Sequence, residues 1–415
     1  MNKFIKNVGY LTFSILCGRF VNIILPFLIV NIYGSNRETD FLFIAFSISI
    51  YFYGILFNAL VDSSVPKLIV DHKLISAKHN YLIATIAFIA TFFILIFFRG
   101  YVSSTEFYII GASFSGIAAC GTLAFRSATI LAANEKYNLQ NLLWMTRFMT
   151  IPILLISSNQ SKLGLSLFAI SLLFSDALRF ALINIFGKRF DLSTNLNKIN
   201  DNFDGKILIY IGAALIHGFN PIIDRLIASY GVPGSITLLE LSERMYNVIL
   251  TIITSGFFGV ITVDMSNRFY KNKFSQYWNL LLLGGLSMGL AALGIAFLIG
   301  MVIKGNLGQV ILPKLKPDQL ILIKDCLLIY CGSIPAFILG GISVRILLIK
   351  QEYFTILKLA FLSIIINFIF SLVLFNLIGL PGIAFATTLS YSLTALLMIL
   401  RCSSIIGTMP AMKAL

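Results

Sequence analysis

Residues Phe219–Arg244, FNPIIDRLIASYGVPGSITLLELSER, decide how the whole chain is read. Two apolar flanks meet at a Tyr-Gly-Val-Pro-Gly turn, the pattern of one membrane helix ending and the next beginning. Within those flanks lie Asp224, Arg225, Glu240, Glu243 and Arg244. An ionised side chain at bilayer depth costs about 2.5–3.5 kcal/mol on insertion scales. Such residues face a wetted, protein-lined space. The stretch therefore reads as half of a pathway through the protein, and the other half should lie elsewhere in the chain.

The surroundings fit that reading. The chain has 415 residues, 58% of them hydrophobic and only 12% charged, with a mean hydropathy of +0.92. A water-soluble domain does not have this balance, and a multi-span membrane protein does. At about 20 apolar residues per crossing of a 30 Å core, the sequence holds about twelve spans. They fall near 9–33, 40–62, 80–98, 107–133, 140–157, 164–186, 207–230, 237–262, 276–302, 319–345, 353–376 and 382–402. The amino terminus has the basic start and apolar run of a signal peptide. It lacks a small-residue cleavage site before Val30 and is interrupted by Arg19, so it reads as an uncleaved first span.

The net charge of +14 raises the question of nucleic acid. Its distribution answers it. With the amino terminus inside, the cytoplasmic segments hold about eighteen Lys and Arg, among them Lys3, Lys67, Lys188, Arg268 and Lys350, against about seven in the outer loops. This is the positive-inside bias, and it sets topology rather than binding a polyanion. Both termini are then cytoplasmic. The polar link 187–206 separates an amino-terminal six-helix lobe, 1–186, from a carboxy-terminal one, 207–415. The halves share a Tyr-Gly at Tyr33-Gly34 and Tyr230-Gly231, each followed by a polar turn, as expected of a parallel repeat. Pro26, Pro152, Pro221, Pro335 and Gly284-Gly285 predict bendable or closely packed helices.

Ionisable residues inside the spans are the candidates for function. The first half contributes Arg19, Arg126, Arg147, Asp176 and Arg179; the second contributes Asp224, Arg225, Glu240, Glu243 and Arg244, with His217 deeper in its span. Arginine outnumbers carboxylate, and the planar guanidinium fork suits phosphate oxygens. Plainer roles are open to several. Arg126 and Arg147 could snorkel to the cytoplasmic face, Asp176 and Arg179 could neutralise each other three residues apart, and His217 could be a hydrogen-bonded core residue. The five cysteines have no metal-site spacing and read as small buried hydrophobes. There is no HExxH, P-loop or nucleophile elbow, and no domain outside the membrane large enough for a polymerase, so a catalytic role is not expected.

Cys17–Phe46, CGRFVNIILPFLIVNIYGSNRETDFLFIAF, resembles the opening hairpin of the lipid II flippases (MurJ-like), with its span-one arginine, glycine turn and T-D. Ile223–Arg268 is similar to that family's seventh and eighth spans, with D-R-x-x-A-S, a G-S turn and then the family's A-D-R, where this chain has Glu243 and Arg244. Arg345–Ala386 resembles its later pattern, ending in G-x-x-G-I-A. Over the whole chain the pattern resembles the multidrug, oligosaccharidyl-lipid and polysaccharide exporter (MOP) superfamily, which also holds the O-antigen flippases (Wzx-like).

The resemblance implies an all-α integral membrane fold of about twelve helices in two six-helix lobes around a central cavity. It also implies export of an undecaprenyl-diphosphate-linked sugar, an O-antigen, capsule or peptidoglycan precursor, across the bacterial inner membrane by alternating access. Arg19, Asp40, Glu243 and Arg244 stand at matching motif positions. The family's second Arg-Asp in span one is Leu25-Pro26 here, its span-two arginine is Tyr53, and its two further carboxy-terminal spans are absent. These departures point away from lipid II and towards an O-antigen or capsule unit. The resulting expectation has Arg19, Arg126, Arg147, Arg225 and Arg244 holding the anionic head group. Asp40, Asp224, Glu243, Asp176 and Arg179 serve in ion pairs or coupling. There is no cofactor beyond a coupling H+ or Na+, and no nucleic-acid partner. The partners are the glycan lipid, the bilayer and polysaccharide assembly proteins. A multidrug cation antiporter and a non-transporting scaffold are the alternatives.

Overall fold

The computed structural model describes Phe13, Cys17, 20–22, 24–56, 60–61, 77–133, 136, 139, 142–157, 164–190, 205–270, 274–304, 306–350 and 352–407. Every regular element among these residues is helical. In chain order they are α1 (Phe20–Tyr33), α2 (Arg37–Ile50) continuing into a π-helical turn (Tyr51–Leu56), α3 (Ala77–Ile96), α4 (Ser104–Leu123), α5 (Phe125–Ala133), a 3-10 run (Leu143–Met149), α6 (Thr150–Ser157) and α7 (Gly164–Phe190). The second half continues with α8 (Gly205–His217), α9 (Asn220–Ala228), α10 (Ser235–Tyr270), α11 (Phe274–Lys304), α12 (Asn306–Ile311), α13 (Pro317–Cys331), α14 (Ile334–Ile349), α15 (Tyr353–Ile378) and α16 (Leu380–Gly407). Seven described stretches are long and apolar enough to cross a bilayer. The protein is an all-α integral membrane protein, as its composition predicts.

The apolar faces confirm the solvent. Along α15, Phe361, Ile365, Phe368 and Leu372 recur at helical spacing and are exposed. Ile356, Ala360, Ser363, Asn367 and Ser371 recur on its buried face. In water that arrangement would be inside out. In hydrocarbon, apolar side chains gain nothing by hiding, and helices associate through small residues and polar contacts. The contacts are present: Ser363 and Ser390 hydroxyls lie 2.9 Å apart, and Thr387 donates to Asn367 Oδ1 at 3.3 Å, both between α15 and α16.

Several spans that hydropathy reads as continuous are broken. The span 107–133 divides at Ala124 into α4 and α5, 207–230 divides at Gly218-Phe219 into α8 and α9, and 319–345 divides at Gly332-Ser333 into α13 and α14. Pro221 and Pro335 lie in the first turn of a new helical segment, where a missing N–H has no partner to lose, and Pro152 stands where the 3-10 run gives way to α6. The freed backbone groups find side chains instead. Asn80 donates to the Leu123 carbonyl at 3.0 Å before the α4–α5 break, and Tyr51 donates to the Leu215 carbonyl at 3.0 Å before the α8–α9 break. Non-helical backbone at membrane depth is tolerated only where protein or water satisfies it in this way.

The described residues fall into two compact units. One comprises Ser14–Arg225 with Val232–Glu240; the other comprises Leu226–Gly231 and Leu241–Leu415 with Phe13. In the first unit α4 packs on both α3 and α7, and the start of α2 lies against α4. In the second, α15 and α16 form the most extensive helix pair, with α11, α13 and α14 beside them. Gly289 on α11 meets Pro335 of α14 so closely that a Cβ would stand 2.7 Å from the proline Cα, which is why a glycine occupies that crossing.

Candidate functional site

Three buried polar clusters lie in the first unit, each built from residues far apart in sequence. The first joins two helix starts. Asn36 caps α2 and forms a reciprocal box with Thr39. One residue further on, Asp40 is almost fully buried and reaches the start of α10. Its Oδ2 accepts from Gly234 N at 2.7 Å, and its Oδ1 accepts from Thr237 N at 2.8 Å and from Thr237 Oγ1 at 2.7 Å. Ser35 donates to the Gly234 carbonyl at 3.1 Å. The first amides of a helix have no internal partner and carry the positive end of its dipole, so a carboxylate satisfies both needs. Gly234 has φ +94°, and a Cβ there would overlap the Ser35 hydroxyl, so both the backbone conformation and the space require glycine. The left-handed residue of the first turn is Gly34, φ +78°, directly after Tyr33. In the second turn it falls at Gly234 rather than at Gly231, so the Tyr-Gly pairs share sequence but not backbone conformation.

The second cluster pairs Arg225 of α9 with Glu240 of α10, both within about 5% of full burial. Arg225 also donates to the Pro221 carbonyl at 2.8 Å, and Ser47 of α2 lies 3.5 Å from Glu240 Oε2. Asp224 is buried beside it on α9.

The third cluster is the most cationic. Arg147, 1% exposed on the 3-10 run, donates through Nη1 to Asn22 Oδ1 at 2.6 Å and through Nη2 to Asp176 Oδ2 at 2.5 Å. Arg179, one turn along α7 from Asp176, donates to Tyr53 Oη at 2.9 Å. Its Nε stands 3.7 Å from Asp176 Oδ1, too far for a hydrogen bond. Aromatic faces surround both cations. The Arg179 guanidinium carbon lies 3.7 Å from the Trp144 ring centroid and 4.9 Å from that of Tyr53, and Arg147 lies 4.9 Å from Trp144 and 5.7 Å from Phe46. Among the described residues the cluster holds two guanidinium groups and one carboxylate, all nearly fully buried, a surplus of one positive charge. Phe46 also borders a small apolar pocket, lined further by Leu25, Pro26, Leu42, Phe114 and Phe168.

The structure therefore sorts the residues singled out from sequence. It brings Arg147, Asp176 and Arg179 together, and it places Asp40 on the second hairpin and Arg225 on Glu240. Arg126 is half-buried on α5, and Glu243 and Arg244 are half-buried on α10 within the second unit. Arg19 lies outside the described residues. Sequence reasoning passed over Asn22, Trp144 and Thr237 as participants and treated Tyr53 only as a departure from a family pattern. That departure, a tyrosine where the resembled pattern has arginine, was the signal in the sequence that pointed to it.

This is the fold of the MOP-superfamily transporters. Over 98% of this chain it is similar to a lipid II flippase, MurJ, in an inward closed conformation, covering 88% of that chain at a TM-score of 0.72 and 19% identity. It is similar to an outward-facing multidrug resistance MATE family transporter of the MOP superfamily, at a TM-score of 0.73 and 13% identity over 97% of this chain and 96% of the other. It also resembles a MOP superfamily transporter from Pyrococcus furiosus described by the reverse polarity of its binding pocket, at 0.69 and 13% over the same shares. No protein-family model and no curated protein matches the sequence.

Proposed function

We propose that the chain is a flippase that moves an undecaprenyl-diphosphate-linked sugar, an O-antigen or capsule unit, across the bacterial inner membrane by alternating access. The observation that carries this reading is the buried surplus of guanidinium over carboxylate around Arg147, Asp176 and Arg179. A buried, aromatic-walled cation favours an anionic head group and disfavours an organic cation. In this reading Arg19, Arg126, Arg225 and Arg244 supply further contacts along the path, and Asp224 and Glu243 take part in coupling to H+ or Na+. Residues 1–186 and 207–415 act as the two moving lobes, with both termini in the cytoplasm. An inside-negative potential contributes about 2.3 kcal/mol per elementary charge at 100 mV, which assists outward movement of a diphosphate.

Asp40 serves as a latch. Its bonds to Gly234 N and Thr237 tie the outer end of α2 to the first turn of α10, and in the proposed cycle they break when the outer side opens. A strain deleted for the gene tests the function. It should lose its surface glycan and accumulate the lipid-linked precursor, and the wild-type gene should restore export where an Arg147→Ala, Arg179→Ala double variant at equal expression does not. Normal glycan in the deletion strain would refute the reading.

A multidrug cation antiporter is the second reading, favoured by the structural likeness to a MATE transporter. Overexpression should then confer resistance to quaternary ammonium compounds while leaving surface glycan unaffected.

A further inference from the structure

The two arginines of the cationic cluster are not equivalent. Arg147 is engaged at both ends of its fork, by Asn22 and by the Asp176 carboxylate. The hydrogen-bond and ring partners of Arg179 are neutral: the Tyr53 phenol at 2.9 Å and the indole face of Trp144 at 3.7 Å. Arg179 Nε and Asp176 Oδ1 face one another across 3.7 Å, both buried and neither hydrogen-bonded. Tyr53 is itself fixed from behind, because Gly121 leaves its ring the space that a Cβ would take, and Trp144 lies 5.3 Å away centroid to centroid. Asp176 is hydrogen-bonded to Arg147, and among the described residues Arg179 is hydrogen-bonded to no carboxylate.

We propose that Arg179 receives an oxyanion of the transported head group, and that Tyr53 is the positioning residue that keeps its guanidinium from closing onto Asp176. The ligand is a carboxylate or phosphate oxygen, from an acidic sugar or from the diphosphate. This rests on the reading of an anionic head group and narrows it to one residue. The group is buried here, and the 3-10 run Leu143–Met149, which bears both Trp144 and Arg147, lies against it. Seven residues is long for a 3-10 helix, whose hydrogen bonds are poorer than those of an α-helix, and such runs often mark a hinge or local strain. Displacement of this run is the route by which the anion reaches Arg179.

Trp144 stands against Arg179 and reports on it. The chain has two tryptophans, so a Trp278→Phe parent leaves Trp144 as the sole emitter. Titration of the purified full-length parent with inorganic phosphate, and separately with glucuronate, should give a saturable change in Trp144 emission for at least one of them. The anion that saturates identifies the source of the oxygen. Arg179→Gln should abolish the response. Tyr53→Phe, which keeps the ring and its packing, should weaken affinity about tenfold, the worth of one hydrogen bond to a charged group. Arg99→Gln, on an exposed turn, should leave it unchanged. No saturable response in the parent, or one that survives Arg179→Gln, overturns the site, and a Tyr53→Phe affinity equal to the parent's overturns the positioning role. The titration reads binding without transport. Intact anion binding in a protein that fails to flip lipid would defeat the proposed function and leave this site standing.

Discussion

At the scale of single residues, buried charge dominates. Arg225 and Glu240 neutralise each other in a place where neither meets bulk water. Removing one partner strands the other, at about 3–5 kcal/mol, whereas replacing both by apolar groups of similar size is often neutral. Arg225→Ala should therefore lower the thermal unfolding temperature of the purified protein sharply, and Arg225→Met combined with Glu240→Leu should recover most of the loss. Recovery of stability without recovery of glycan export would separate the pair's functional role from its structural one. Asp40 makes a different prediction. It accepts three hydrogen bonds at the start of α10, and one such bond from a charged acceptor contributes about 1.5–3 kcal/mol. Asp40→Ala should destabilise the protein by at least that much. Asp40→Asn retains one acceptor oxygen but turns an NH2 towards a donor, so its unfolding temperature should fall between those of the wild type and Asp40→Ala.

At the scale of elements, hydropathy located the helices well because the bilayer enforces about 20 apolar residues per crossing. α7, α11, α15 and α16 each begin and end within a few residues of the spans read from sequence. The breaks were harder to see. A window of 20 residues averages over Ala124, Gly218-Phe219 and Gly332-Ser333, and none of these interrupts the apolar run. Partner choice was likewise hidden. The spacing of Asp176 and Arg179 implies a pair along one helix, and the two stand 3.7 Å apart, but the hydrogen bond of Asp176 goes to Arg147, which tertiary packing brings in from 29 residues away. The π-helical turn Tyr51–Leu56 has no sequence signature, although it presents Tyr51 to the α8–α9 break and Tyr53 to Arg179. If Tyr51 secures that break, Tyr51→Phe should speed amide hydrogen exchange across 215–219, with a stability loss of about 1 kcal/mol, the typical worth of one neutral hydrogen bond. Unchanged exchange there would mean that the break is held by packing alone, including the Tyr51–Phe219 ring contact at 5.2 Å.

At the scale of the whole molecule, the fold is shared by a lipid II flippase and by multidrug resistance transporters, so the fold alone does not choose the cargo. In the proposed function the choice comes from the buried cluster at Arg147 and Arg179, where two guanidinium groups share one carboxylate. Protein reconstituted into liposomes, with a fluorescent undecaprenyl-diphosphate sugar in one leaflet, tests this most directly through the rate at which a membrane-impermeant quencher loses or gains access to the label. Flipping well above that of protein-free liposomes, faster when the potential favours outward movement of negative charge and lost in the Arg147→Ala, Arg179→Ala double variant, is the predicted result. Flipping no faster than in protein-free liposomes, together with proton- or sodium-driven movement of a quaternary ammonium dye by the same preparation, would contradict it.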